Sequence, residues 1–383
     1  MPMSVRSALK QNNGVIRLIE SHDRFSTEVI RNAGEEIPSF EGVWISGLTQ
    51  TTYLGIPDTE IMSPLQRSSY KLPYSRNENV LCAAFDADSG GPIEHALALK
   101  IILIREGVSM IIIEDKELIA PGTKVNSLLS ADEPQPQANP EDFAKKIQAF
   151  KQGPVEIFGP SDSDFMVTAR IETFNLRIKK DDPIEEAASV QKALEDALHR
   201  AEVYTQAGAD AIMIHSKSKS PSEVLDFLKK FREKDATTPL VVVPTTYSST
   251  PRQTLIDAGA NIIIYANHLM RAKIQAIEPI AQSFLAANPE LFSNDEIARA
   301  CLDAKNYGCL LQILLERDFE DGKNEDVKRF LIAAQKSAIE NMRKTVEELA
   351  VGTESGCEAD EHIITVKQLL GINAVWVTKD RSN

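Results

Sequence analysis

Eight short apolar runs punctuate the chain: Val15–Ile19, Val43–Ile45, Val80–Phe85, Met110–Ile113, Phe165–Ala169, Ala211–Ile214, Leu240–Val243 and Ile262–Tyr265. Runs of this length, bounded by polar and turn-forming residues, predict buried strands. Between them the apolar spacing changes to that of amphipathic helices, at 26–33, 93–106, 140–152, 184–206, 221–233 and 254–258. The pattern is clearest over 184–206, where Ala188, Leu194, Leu198 and Ala201 share one face and Gly208 follows as a stop. Asn139 and Pro140 supply the start of another helix. Strand then helix, repeated to about residue 286, predicts an α/β fold whose parallel sheet closes as a (β/α)8 TIM-type barrel.

Two regions break the rhythm. Residues 117–137 hold Pro121, Gly122, Pro134 and Pro136 with little periodicity, and are long for a strand-to-helix connection. We read 115–137 as a lid loop over the site. Beyond 288 the spacing is helical only, at 294–304, 307–317 and 325–349, with a polar stretch at 352–361. The expected organisation is a catalytic barrel over 1–288 and a mainly helical segment over 289–383 that packs subunits.

A length of 383 residues exceeds the roughly 250 that a barrel uses, which leaves room for both additions. The hydrophobic fraction of 43% fills a large core, yet no run approaches the ~20 apolar residues of a membrane span. The opening MPMSVRSALKQNNG has no apolar stretch of the secretory kind, so a cytoplasmic protein is expected. Cys82, Cys301, Cys309 and Cys357 lack metal-type spacing, which argues against structural zinc and disulfides. A formal charge of −14 argues against sequence-independent nucleic-acid binding. It also means that an anionic substrate must meet local cations or a metal. Lys116, Lys124 and Arg170 are the candidates.

The polar residues that follow the runs carry the chemistry. In order they are Glu20 and Ser21, Ser46, Asp86 and Asp88, Glu114, Arg170 and Glu172, His215, Thr245, then Asn267 and His268. One end of a parallel barrel brings such residues into a small volume. Asp86, Asp88 and Glu114 are hard oxygen donors that suit magnesium, although paired acids of this kind are also common in solvated turns. Lys124, Asn126 and Ser127 offer an ammonium, an amide and a hydroxyl, which are either donors for a phosphoryl or carboxylate group or an ordinary hydrophilic loop. Arg170 needs an anionic partner, either Glu172 or a substrate. A strand-end histidine such as His215 suits a catalytic or substrate-orienting role, whereas capping and packing suffice for His268.

Nine segments carry a further signal: VWISGLT (Val43–Thr49), LGIPD (Leu54–Asp58), DAD (Asp86–Asp88), IEDK (Ile113–Lys116), KVNS (Lys124–Ser127), ARIETF (Ala169–Phe174), AGADAIMIHSK (Ala207–Lys217), VVPTTYSSTP (Val242–Pro251) and YANHLMRA (Tyr265–Ala272). In these blocks and their order the chain resembles the phosphoenolpyruvate mutase family of the isocitrate lyase superfamily, over about residues 7–284. The closing IITVKQLLGI is similar to the family's C-terminal helix, displaced by an inserted stretch near 291–359.

The resemblance implies an isomerase that interconverts phosphoenolpyruvate and 3-phosphonopyruvate, forming the carbon–phosphorus bond of phosphonates through a magnesium-stabilised pyruvate enolate. It implies magnesium near Asp86, Asp88 and Glu114, with Asp58 on a gating segment close by. Trp44, Ser46, Gly47 and Leu48 would hold the carboxylate and enolate end of the substrate. Arg170, His215, Asn126 and Ser127 would surround the phosphoryl group, with Lys124 on the lid. The implied assembly is a homodimer or homotetramer with exchanged C-terminal helices, and no membrane or nucleic acid is involved.

Relatives within the superfamily set the alternatives. Phosphonopyruvate hydrolases typically carry a threonine at the place of Asn126, so the Asn-Ser pair favours the mutase. Carbon–carbon lyases carry a lid cysteine, and 115–129 contains neither cysteine nor histidine. An oxaloacetate-type decarboxylase would need only metal and enolate stabilisation. A scaffold that kept the barrel and lost turnover is the non-enzymatic alternative. Two departures from the family pattern stand out: Glu117–Val125 makes a longer spacer between EDK and NS, and Ser89-Gly90-Gly91 replaces a Thr-Gly-Tyr-Gly turn.

Overall fold

Successive side chains on a strand point to opposite faces, and a parallel barrel buries both. The computed structural model describes residues 3–32, 40–70, 81–125, 135–153, 164–287, 363–365 and 375–377. Its strands are β1 (Ile16–Glu20), β2 (Gly42–Ile45), β3 (Cys82–Asp86), β4 (Met110–Glu114), β5 (Met166–Ile171), β6 (Ala211–Ile214), β7 (Leu240–Val242) and β8 (Ile262–Tyr265). Each pairs in parallel with the next, and β1 with β8, so the sheet closes into the expected barrel. One alternating set, with Leu18, Ala84, Met110, Ile112, Met166, Met213 and Ile264, fills the interior. The other, with Val43, Ile45, Phe85, Ile111, Ile113, Val167 and Ile212, forms the layer beneath the helices.

The helices are α1 (Val5–Gln11), α2 (Arg24–Asn32), α3 (Gly47–Leu54), α4 (Pro64–Ser69), α5 (Ala96–Arg105), α6 (Pro140–Lys151), α7 (Thr173–Leu176), α8 (Pro183–Gln206), α9 (Ser222–Arg232), α10 (Arg252–Asp257) and α11 (His268–Ala287). Helix α1 plugs the N-terminal mouth. Its Val5, Ala8 and Leu9 join the interior core, and Val5 N donates to Ser109 Oγ at 2.9 Å just ahead of β4. Side chains cannot fit everywhere in the wall: a Cβ on Gly42 would lie 2.4 Å from Cys82 Sγ and 2.7 Å from Leu18 Cδ2.

Several polar residues expected just past the strands lie within them. Glu20, Asp86, Glu114 and Arg170 belong to the ladders, with Asp86 opposite Ile112 and Glu114 opposite Arg170. Ladder bonds join backbone groups, so a charged side chain does not end a strand whose neighbours continue. A second difference concerns the C-terminal segment. Ile363–Thr365 (β9) and Val375–Val377 (β10) pair antiparallel, so the stretch beginning at Ile363, expected as a helix, opens as a strand. Its β-branched residues, set against Trp376, favour that outcome. The helices expected at 294–304, 307–317 and 325–349 lie outside the described residues. Among the described residues no helix is long and apolar enough to cross a membrane.

Candidate active site

Alternation carries the interior face beyond its last apolar layer. Two residues past Ala84, Ile112 and Thr168 come Asp86, Glu114 and Arg170, so the core ends in charged groups at the C-terminal mouth. They line one cavity with Trp44, Ser46, Leu48, Asp58, Lys116, Lys124, Met213, His215, Val243, Thr245, Ala266 and Asn267. Gly47 and Asp88 stand behind this wall: Gly47 N donates to Asp86 Oδ2 at 3.1 Å, and Asp88 faces Arg67 and Lys124. Asn126 and Ser127 lie outside the described residues. His268 opens α11 with its ring edge-on to Tyr265, 5.8 Å between centroids.

One wall is the first turn of α3. Ser46 caps it by accepting from Thr49 N at 3.4 Å, and Gly55, at φ +70°, ends the helix. Ser46 and Leu48 border the cavity, so the positive end of the helix is available to an anion there.

The acids are not equivalent. Asp88 adopts φ +48°, a conformation that side chains rarely take. Arg67 Nη2 lies 2.7 Å from its Oδ2, and Lys124 Nζ binds its Oδ1. Burial opposes the charge on Asp88, but Lys124 and Arg67 outweigh it and hold the pKa at about 2. Asp86 instead accepts from backbone, Gly47 N and Asp88 N. Burial, reinforced by the neighbouring Asp88, pushes its carboxyl up to about 6. Glu114 Oε1 is buried and accepts no hydrogen bond among the described residues, with Lys116 Nζ 3.5 Å away, while Oε2 lies 3.4 Å from Arg170 Nη2.

On the neighbouring strand β5, Arg170 Nε binds the Glu172 carboxylate, and its Nη2 lies 3.2 Å from His215 Nδ1. Asn175 Nδ2 donates both to Glu172 Oε2 and to His215 Nδ1, each at 2.8 Å. Glu172 Oε1 also lies 3.3 Å from Nδ1, so that nitrogen meets two donors and one carboxylate oxygen. Burial and the Arg170 charge lower the His215 pKa, which favours a neutral imidazole. Burial also opposes the charge on Glu172, yet Arg170 and Lys116 hold its pKa well below the usual range. Of the two partners foreseen for Arg170, Glu172 is the one in place, and the guanidinium also borders the cavity.

The described parts of 115–137 form a frame. Lys116 and Gln137 make an antiparallel bridge, Gln135 Nε2 donates to Glu117 O at 2.9 Å, and Val125 N donates to Gln135 Oε1 at 3.0 Å. From this frame Lys124 Nζ reaches Asp58 Oδ1 at 2.8 Å, and Lys124 N donates to Thr59 O at 3.2 Å. Burial disfavours the ammonium, but Asp58, Asp88, Glu114 and Asp86 together raise its pKa well above the ordinary value.

Sequence patterning gives no sign of Arg67, Gln50 or Glu60, all of them buried beside the site. Glu60, at φ +56°, takes the Ser89 hydroxyl at 2.5 Å, and burial together with Asp88 pushes its carboxyl up to about 8. Asn175 had a usable signal, its helical i+3 spacing from Glu172.

The donor set suits a hard divalent cation. Asp86 and Glu114 face the cavity, one with a carboxyl raised by burial and the neighbouring Asp88, the other with a buried oxygen that accepts no hydrogen bond and has Lys116 Nζ at 3.5 Å. Among the described residues no three His, Cys, Asp or Glu side chains form a direct ligand cluster. A cation of the magnesium type tolerates this, since it keeps several waters and touches few protein oxygens.

A sequence model of one enzyme family, phosphoenolpyruvate phosphomutase, matches residues 5–285. The chain belongs to that family. Phosphoenolpyruvate phosphomutase of Tetrahymena pyriformis is 31% identical over 296 residues, 76% of this chain and 87% of that protein. The phosphomutase structure from Streptomyces platensis subsp. rosaceus superposes with a TM-score of 0.58 at 28% identity, covering 81% of this chain and 98% of that one. A phosphonopyruvate hydrolase in complex with oxalate and Mg++ gives 0.56 at 25% identity, covering 77% and 94%. Family membership accounts for the barrel and for charged groups at its C-terminal mouth, while the similarity extends to mutase and hydrolase alike.

Proposed function

We propose that the protein is a phosphoenolpyruvate mutase that interconverts phosphoenolpyruvate and 3-phosphonopyruvate by intramolecular phosphoryl transfer. The observation that carries this reading is a single cavity lined both by the carboxylates of Asp86 and Glu114 and by Arg170 and His215. That lining offers donors for a phosphoryl group together with oxygens for a cation.

The first turn of α3 offers Ser46 and Leu48 to the substrate carboxylate. Cleavage of the P–O bond leaves a pyruvate enolate and a phosphoryl group of metaphosphate character, which needs hydrogen-bond donors rather than a base. Arg170 and the ring N–H of His215 meet that need without giving up a proton. Phosphorus then bonds to carbon three of the same molecule, so no atom is gained or lost. Asp86 and Glu114 would hold magnesium, which when bound supplies Lewis-acid stabilisation of enolate charge. Water must be kept out, because its attack would give pyruvate and phosphate instead; Lys124, latched to Asp58 and Asp88, supports that exclusion.

Hydrolysis of phosphonopyruvate is the second reading, favoured by the likeness to the oxalate-bound hydrolase. Asn126, where hydrolases typically carry threonine, supports the mutase. Phosphorus NMR of the protein with phosphonopyruvate and magnesium decides between them. Phosphoenolpyruvate should appear, and chelation of the metal should stop it. Free phosphate alone would establish the hydrolase, and an unchanged spectrum would defeat both.

A further inference from the structure

A buried arginine is tolerated only where its charge and its fork of donors are met. Arg67 is fully buried on α4, whose start is fixed by a capping box in which Ser63 N donates to Gln66 Oε1 at 2.9 Å. Its guanidinium lies over the Phe85 ring, 4.9 Å from the centroid. Nη1 donates to Gln50 Oε1 at 2.8 Å, and Gln50 Nε2 returns a bond to Arg67 O at 3.0 Å, so α3 and α4 are joined in both directions. Nη2 donates to the Asp86 carbonyl and to Asp88 Oδ2. A Cβ built on Gly47, the first residue of α3, would meet Asp88 Oδ1 at 3.1 Å, Asp86 Oδ2 at 3.4 Å and Arg67 Nη2 at 3.5 Å. One guanidinium thus touches two helices and the end of β3.

Asp88 follows Asp86 closely but is spent differently. Arg67 and Lys124 occupy one carboxylate oxygen each, and Asp88 does not border the cavity that Asp86 and Glu114 line. We propose that Arg67 is a positioning residue: it holds Asp88 out of the cavity and fastens the anion-facing turn of α3 to β3, leaving Asp86 and Glu114 to face a divalent cation. This rests on the enolpyruvate reading above and assigns a role to a residue that touches neither substrate nor metal.

The two parts of the role move in opposite directions when Arg67 is lost. Arg67→Met removes a buried positive charge from the acid cluster and frees Asp88, so magnesium alone binds tighter, by on the order of tenfold. The same change cuts the tether of α3, so oxalate, which presents a carboxylate to that turn, binds weaker by on the order of tenfold. A general loosening of the site weakens both. Arg67→Lys keeps the charge without the fork, and restores magnesium affinity but not oxalate affinity. Gln50→Leu keeps Arg67 and breaks the link between α3 and α4, so oxalate weakens while magnesium is unchanged.

Calorimetric titration of the full chain tests this, first with magnesium alone and then with oxalate at saturating magnesium, with circular dichroism on each variant as the check of folding. Tighter magnesium with weaker oxalate in Arg67→Met supports the role; parallel loss of both, or no change in either, overturns it. Should Arg67→Met fail to fold, Arg67→Lys and Gln50→Leu decide, and wild-type oxalate affinity in both overturns the proposal. Unmutated protein that binds no oxalate in magnesium overturns the enolpyruvate reading and takes this inference with it, a result visible before any variant is made.

Discussion

Lys124 Nζ lies 2.8 Å from Asp58 Oδ1 although the residues are 66 apart in sequence, and that ion pair joins the stretch after β4 to the segment following α3. Both side chains are buried, so neither contact is screened as a surface pair would be. Lys124→Met should lower kcat by about 10²-fold or more, the cost of losing a preorganised group of this kind. Asp58→Ala should do comparable damage, and the double variant should be no worse than the poorer single one. Multiplicative losses in kcat would mean that the two act separately.

Asn175 Nδ2 lies 2.8 Å from His215 Nδ1 and orients the ring, so the pair should fail together. His215→Ala removes the ring N–H donor and should cost about 10²-fold in kcat. Asn175→Leu leaves the ring in place but removes one of the donors at Nδ1 and one hydrogen bond to Glu172. Its kcat should fall with little change in KM, and the fall should deepen where the ring takes up a second proton. A pH–rate profile identical to that of the unmutated protein would remove Asn175 from the mechanism.

Glu60 gives the protein a pH-dependent stability. Its ordinary pKa is 4.5, and burial with Asp88 nearby moves it to about 8, so the folded chain binds this proton more tightly than the unfolded one. The contribution is fully present below 4.5 and is lost as pH rises through 8. Glu60→Gln stays neutral throughout and should gain thermal stability relative to the unmutated protein between pH 5 and 9. Parallel melting curves across that range would show that Glu60 is ionised in the fold.

Gly42→Ala should destabilise the barrel by about 1–3 kcal/mol through overpacking, because Cys82 and Leu18 already fill the space. Chemical denaturation measures it, and an unchanged midpoint would show that β2 and β3 can part at no cost.

The barrel and most of its charged mouth could be read from the chain because both follow from local order. Ile111 and Ile113 flank Ile112, and Glu114 continues the inward series; eight such series converge only in a closed parallel sheet. Arg67 and Glu60 escaped because their burial is a tertiary outcome. In sequence Arg67 is one charged residue among Gln66, Ser68 and Ser69, indistinguishable from a solvated helix face. Only the approach of α3 and of the β3 end encloses it. Ile363 was misjudged for the opposite reason, since a β-branched triplet is compatible with either state until a partner such as Val377 is in place.

The frame within 115–137 has a bearing on how this protein can diverge. Val125 N donates to Gln135 Oε1, and Lys116 is bridged to Gln137, so residues 125 and 135 are fastened to each other. Lengthening a loop with such anchored ends is thermodynamically mild, about 0.6 kcal/mol for each doubling. Insertions between 125 and 135 therefore come at little expense to the pairing of Lys124 with Asp58 and Asp88, which is made outside that stretch.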